Sequence, residues 1–237
     1  MAGPVFVSRL LALSASLAFF ASLGYFIYAY AQFGTPAGRW HAGAWRAIAQ
    51  NVLMFSVFAA HHSVLARQGT KRSLRRIVPP HLERSGYIAG AGILFAITLS
   101  LWQPVPGLAW RLTGPWFLVS EVLCLTGVAI IGISVSSLDL LTYLGLRQGL
   151  GLAAGPPETL KMDGPYRVVR HPVYLGWILL VWSLPVMTGT RLVFAAISTI
   201  YILLVMPYEE TSFNRAYGKQ YDTYANSVRY RLFPGLY

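Results

Sequence analysis

Apolar residues in this chain run in long blocks, separated by short stretches that hold nearly all of its charge. Six blocks have roughly the 17–25 residues needed to cross a bilayer as a helix, at about 9–33, 46–66, 86–104, 115–137, 172–188 and 191–207. The last two form a helical hairpin over about 172–207, in which Arg191 is the one charged residue from Val173 to Tyr208. At about 1.5 Å per residue, Val173–Met187 covers roughly 22 Å and Leu192–Val205 roughly 20 Å. Thr188-Gly189-Thr190 supplies the predicted turn, and Pro185 is expected to kink the fifth helix near its end. The hairpin therefore returns Glu209 and Glu210 to the level of Arg170, His171 and Tyr174. Cationic, aromatic and anionic groups converge there on one membrane face.

Past Glu210, Phe213, Tyr217, Tyr221 and Tyr224 recur at four- and three-residue spacing and make one aromatic face on a helix. Tyrosines favour a membrane interface, so this predicts an amphipathic helix lying along the surface, its rings in lipid, above the hairpin ends. The expected fold is an all-α integral membrane protein, a single membrane domain over 1–237. Four N-terminal transmembrane helices fill 1–137, and 138–237 holds a loop, the hairpin and the C-terminal helix. The 138–171 insertion mixes charge with Gly and Pro breakers, and a loop of that size points to function.

Composition agrees with this reading: 55% apolar residues and a mean hydropathy of +0.52. The first block resembles a secretory leader, with Arg9 before it and Ala29-Tyr30-Ala31 near its end. Its apolar core of about 22 residues exceeds the 7–15 of a leader, so it is expected to stay as a helix. The net charge of +11 does not imply nucleic acid, because the cations are split among loops. Six Lys and Arg lie in 67–84, four in 138–171 and four in the C-terminal tail, with Arg9 on the same side. Only Arg39, Arg46, Arg111 and Arg191 lie opposite. Fifteen against four places both termini and the basic loops in the cytoplasm, facing anionic lipid headgroups.

Among candidate groups, Pro172 opens the fifth helix at its first position, which leaves His171 beside spare backbone N–H groups that favour an anion. Arg170 and His171 read equally as headgroup contacts. Glu209 and Glu210 at a helix C-terminus oppose the dipole unless the helix continues or a cation compensates. They imply either a cationic ligand or pairing with Arg167 or Arg170. His61 and His62 lie in the second block near its cytoplasmic end. With His41 and His81 in loops, no spacing supports a metal site. Cys124, the single cysteine, reads as a buried apolar residue.

Two stretches, Gly164-Pro-Tyr-Arg-Val-Val-Arg-His-Pro-Val-Tyr-Leu-Gly-Trp177 and Ala216-Tyr-Gly-Lys-Gln-Tyr-Asp-Thr-Tyr224, flank Glu209-Glu210. Together they resemble the isoprenylcysteine carboxyl methyltransferase superfamily over about 139–234. His61-His-Ser-Val-Leu-Ala-Arg67, Val78-Pro-Pro-His-Leu-Glu-Arg-Ser85, Leu101-Trp-Gln-Pro-Val-Pro-Gly107 and Leu144-Gly-Leu-Arg-Gln148 resemble its methanethiol S-methyltransferase and NnrU-like branch. The resemblance implies S-adenosyl-L-methionine as donor, held by Tyr166, Arg170, His171, Pro172, Val173, Tyr174, Glu209 and Glu210, with Glu158, Thr159, Leu160 and Lys161 alongside. It implies transfer to a small thiol, methanethiol to dimethyl sulfide, in a bacterial inner membrane. Arg147, His62 or the positive end of the fifth helix would favour the reactive thiolate. Prenylcysteine enzymes place an arginine one turn before the acidic pair, where this chain has Val205. That departure argues against a carboxylate acceptor. A phospholipid amine or prenylcysteine acceptor, and a non-catalytic role as an NnrU-like membrane or haem-associated factor, remain the alternatives.

Overall fold

The computed structural model describes residues 3–65, 78–153 and 159–236. Glu158 and the basic residues Arg67 to Arg76 lie outside them. Two compact units emerge. The first joins Met1–Thr35, Trp40–Val105 and Asp139–Pro156, and the second joins Pro36–Arg39, Pro106–Leu138 and Pro157–Tyr237.

In the first unit, α1 (Gly3–Gln32) and α2 (Ala44–Leu65) both pack on α3 (Pro80–Ser100). Asn51 is fully buried on α2 and has its amide satisfied by the Gln103 backbone. Its Nδ2 donates to the Gln103 carbonyl at 2.9 Å, and its Oδ1 accepts from the Gln103 N–H at 2.8 Å. That pair fixes the exit of α3, because an unmet buried amide is expensive. Two short helices close the unit, α5 (Leu140–Tyr143) and α6 (Leu146–Leu150), numbered after α4 of the second unit.

In the second unit, α4 (Pro115–Ser136) packs along α7 (Pro172–Trp182). Their closest approach is at Gly127 and Gly176, where a Cβ on either would fall 2.6 Å from the other's carbonyl oxygen. The predicted fifth span ends early. Helix α7 stops at Trp182, because the backbone beyond it is satisfied by β1 (Leu108–Arg111) instead. Trp110 Nε1 donates to the Leu184 carbonyl, Leu112 N to Pro185, and Gly189 N to Gly107, while β2 (Val186–Thr188) pairs antiparallel with β1. The turn is thus a β-pairing rather than a Thr-Gly-Thr loop. Pro185, lacking an N–H, sits where the helix yields to it.

Helix α8 (Gly189–Tyr217) starts with Thr188 as N-cap, its hydroxyl accepting from Arg191 N at 3.2 Å. It runs through Pro207, so the acids expected after the sixth helix lie inside it. The carboxylates therefore do not face a helix end. Gly218 breaks the chain at φ 53°, a left-handed value that favours glycine, and α9 (Lys219–Ser227) follows.

Among the described residues, four helices are long and apolar enough to cross a membrane: Phe6–Gln32 of α1, Ala44–Leu65, Pro115–Ser136 and Gly189–Tyr217. Their outer faces carry Leu17, Ile27, Leu118, Leu125 and Leu204 largely exposed, apolar surface that water would penalise and lipid tails would not. Of the other two expected spans, α7 has only 11 residues, and α3 begins with the charged Glu83 and Arg84.

Candidate functional site

The site grows from the N-terminus of α7. Pro172 occupies its first turn and His171 is the N-cap, as the sequence requires. The two N–H groups before the helix are taken by the C-terminal tail: Arg170 N donates to the Tyr230 carbonyl at 2.9 Å and His171 N to the Arg231 carbonyl at 3.0 Å. His171 is buried, and its ring stacks on Tyr174 one turn later, centroids 5.5 Å apart and planes 8° from parallel.

Helix α8 presents Glu209 and Glu210 to this point, and they are not equivalent. Glu210 is saturated. Its Oε1 accepts from Arg170 Nε at 2.8 Å and faces His171 Nε2 at 3.3 Å, while its Oε2 meets Arg231 Nε at 3.0 Å and Nη2 at 2.8 Å. Glu209 holds fewer groups. Tyr174 donates to its Oε1 at 2.6 Å, and His171 Nδ1 lies 3.8 Å from its Oε2. The Glu209 side chain is 36% exposed against 12% for Glu210. Glu210 is locked into the scaffold of the site, and Glu209 keeps an open side within it.

Helix α9 covers the same end. Tyr221, Tyr224 and Val228 form a buried cluster against Leu160 and Tyr217, and Phe213 packs on Tyr217 and Tyr221. The predicted aromatic face exists, but Tyr221 and Tyr224 turn inward rather than into lipid. The reason is polar: Tyr224 donates to the Tyr166 carbonyl at 2.8 Å, which ties α9 to the segment before α7. The Tyr221 hydroxyl is buried without a full hydrogen bond. Burial, followed by the Glu210 carboxylate, pushes its pKa up to about 12.

Tyr166, Arg170, His171, Pro172, Val173, Tyr174, Glu209 and Glu210 thus belong to the second unit, as do Thr159, Leu160 and Lys161. Arg170 acts there as a strut: besides Glu210, its Nη1 reaches the carbonyls of Ala225, Val228 and Arg229 at the end of α9. Arg167 pairs instead with Asp163 on the surface. Arg147 and His62 belong to the first unit. Arg147 Nε binds Asp139 at 2.7 Å, and His62 Nδ1 lies 3.0 Å from the Tyr87 hydroxyl. His61 Nδ1 is buried and has no partner among the described residues. No group of three or more metal-binding side chains occurs among the described residues.

The residue that sequence reasoning missed is Arg231. Two adjacent acids needed more cation than Arg167 or Arg170 supplied, and that imbalance was its only signal.

A family model for phospholipid methyltransferases matches residues 123–220, which contain α7 and the whole of α8 with both acids. The methanethiol S-methyltransferase of Mycobacterium tuberculosis is 35% identical over 187 residues, 77% of this chain and 77% of that protein. The chain belongs to the isoprenylcysteine and phospholipid methyltransferase family. Within it, the methanethiol S-methyltransferase of Pseudomonas deceptionensis is 32% identical over 194 residues, 80% of this chain and 74% of that one. Nurim of Xenopus laevis is 27% identical over 161 residues, 63% of this chain and 56% of its own. No solved structure matches. The family and the four apolar helices together make this an integral membrane methyltransferase.

Proposed function

We propose that this membrane methyltransferase uses S-adenosyl-L-methionine to methylate a small thiol, methanethiol, giving dimethyl sulfide. The observation that carries the reading is Glu209, a carboxylate oriented by Tyr174 and His171 yet left with an open side at a helix N-terminus. The residues fit that donor. Glu209 suits its cationic end, and the half-buried rings of Tyr166 and Tyr174 suit a sulfonium or a base. The buried Tyr221 hydroxyl has hydrogen-bonding capacity still to fill. Arg170, Pro172 and Val173 shape the α7 entrance, with Thr159, Leu160 and Lys161 in the same unit; the resemblance adds Glu158, which lies outside the described residues.

When bound, the donor supplies an electrophilic methyl group on a sulfonium, which a thiolate takes in line to leave a thioether and S-adenosylhomocysteine. The chain's contribution is position and dryness rather than proton transfer at carbon. Tyr174 and His171 hold Glu209 still, and α9 shields the site from water. The acceptor's proton must leave before transfer, since the thiolate is the nucleophile. Arg147 or His62 is assigned to favour that anion.

The acceptor assignment rests on the named relatives and on Val205. That residue lies four positions before Glu209 on α8 and so on the same face, and it offers no cation to a carboxylate substrate. We place both termini and the donor site on the cytoplasmic side of a bacterial inner membrane, where the loop cations point.

The test is an acceptor screen. Purified protein in nanodiscs is incubated with methyl-labelled S-adenosylmethionine and, separately, methanethiol, a phosphatidylethanolamine and a prenylcysteine. Labelled dimethyl sulfide is the expected product. Label in the lipid or the prenylcysteine alone overturns the thiol assignment, and label in none overturns catalysis on these classes.

A further inference from the structure

We propose that Arg231 is a positioning residue of the donor site, acting through Glu210 to hold His171 and Glu209 in their binding arrangement. The proposal rests on the donor reading given above.

Arg231 is placed by more than its charge. Leu232, its neighbour, is 1% exposed and packs with Ile178, Ile202 and Met206, between α7 and α8. The backbone on the other side is fixed by the paired bonds from Arg170 N to Tyr230 and from His171 N to Arg231. The tail is therefore anchored on both sides of Arg231, and its side chain starts from a defined point. The backbone entropy of the tail is thus already lost when the guanidinium meets the carboxylate, and its planar fork loses little per hydrogen bond formed.

The contact is two-pronged. Nε and Nη2 both reach Glu210 Oε2, while Arg170 and His171 share Oε1. The division of the two oxygens matters. Without Arg231, Oε2 loses both guanidinium donors and the carboxylate can pivot about its remaining contact with Arg170 Nε at Oε1. Oε1 then leaves His171 Nε2, and the ring loses the contact that sets its plane. That plane is what stacks on Tyr174 and aims Nδ1 at Glu209. Arg170 does not replace the missing clamp, because its Nη1 is spread over three carbonyls at the end of α9.

A surface cation pairing by chance would not show this pattern. The same residue gives its carbonyl to the His171 N–H and its guanidinium to the acid facing the His171 ring. Backbone and side chain of one tail residue thus set both ends of the histidine.

The experiment measures donor affinity and turnover separately in nanodiscs, using S-adenosylhomocysteine binding and steady-state transfer from labelled S-adenosylmethionine. Arg231→Ala is expected to weaken donor binding and raise donor KM about tenfold, the scale of a lost charge-assisted hydrogen bond, with a smaller change in kcat. Added guanidine should restore part of the loss, and Arg231→Lys should fall between the two. In a Glu210→Gln background, Arg231→Ala should add little. An unchanged donor KM in Arg231→Ala, or a full additional loss in the Glu210→Gln background, overturns the proposal. If Arg231→Ala does not fold, Arg231→Lys and Arg231→Gln carry the same comparison. Failure of the unaltered protein to bind S-adenosylhomocysteine overturns the donor reading itself, an outcome distinct from either.

Discussion

Tyr174 donates its hydroxyl hydrogen to Glu209 Oε1 at 2.6 Å, and this is the shortest tie between α7 and the open acid of the site. The residues lie on opposite sides of β2 in the chain, so the bond exists only because the chain returns. Tyr174→Phe removes it while keeping the ring that stacks on His171. A hydrogen bond to a charged group contributes about 1.5–3 kcal/mol, so donor affinity should fall at least about tenfold. Isothermal titration with S-adenosylhomocysteine reads the change; a variant with unaltered affinity would separate Glu209 from donor binding.

The two acids should respond to substitution in different ways. Glu210→Gln leaves Arg170 and Arg231 without their common partner in a poorly hydrated place. Breaking a buried pair from one side costs about 3–5 kcal/mol, which should appear as a lowered thermal midpoint. Glu209→Gln removes a carboxylate that is 36% exposed and holds no arginine. It should keep the midpoint and lose methyl transfer. Equal effects of the two variants on stability would contradict the division of labour seen in the structure.

Asp139 gives a prediction with a pH sign. Partial desolvation pulls its pKa up, but the Arg147 and Thr142 hydrogen bonds outweigh it and hold the carboxyl below its usual 3.8. A depressed folded value means stabilisation that is full above about 3.8 and is lost as pH falls through the lower folded value. The α5–α6 segment that Asp139 caps should therefore gain amide exchange in acid. Asp139→Asn should show the same exchange already at neutral pH. Exchange that is insensitive to both changes would remove Asp139 as the cap.

Close packing in the second unit gives a stability prediction. Gly127→Ala places a Cβ 2.6 Å from the Gly176 carbonyl oxygen and 2.8 Å from Leu180 N, both rigid helix backbone. Neither atom can swing aside, so α4 and α7 must separate and His171 must move with α7. Destabilisation of about 1–3 kcal/mol is expected, together with weaker donor binding. Gly132→Ala, with open space around it on the same helix, is the control and should be silent. A Gly127→Ala variant as stable as that control would show that the helices do not approach so closely.

What could be read from the sequence depended on the range of the forces involved. Pro172 at a first helical turn, His171 before it and the 3.6-residue spacing of Phe213, Tyr217, Tyr221 and Tyr224 are local signals, and the structure contains each. The early end of α7 was hidden because it depends on β1, whose strand lies some seventy residues earlier. Pro185 marks a local kink, but nothing near it shows that a distant strand will claim the amides of Val186–Thr188. The same reason concealed Arg231 and the difference between the acids. Adjacent glutamates look alike in sequence, and only the tail's docking beside Arg170 and His171 separates them. The inward turn of Tyr221 and Tyr224 was likewise decided by a distant acceptor, the Tyr166 carbonyl.

Val205 offers the sharpest test of how Glu209 is used. It precedes Glu209 by four residues on α8, so an arginine introduced there reaches the same face of the helix. Val205→Arg would place a guanidinium against the open side of the Glu209 carboxylate, where the two opposite charges attract. The acid would then be neutralised within the protein and unavailable to a cationic donor. Donor KM should rise by about tenfold or more, the loss of one charge-assisted contact, whatever acceptor is supplied. Val205→Leu keeps the apolar character at similar bulk and should leave donor KM unchanged, which separates charge from crowding. Adding Glu209→Gln to Val205→Arg should cause no further loss, because both changes withdraw the same carboxylate. A Val205→Arg enzyme with ordinary donor KM would mean that Glu209 does not face the donor, and the acid's exposed side would need another partner.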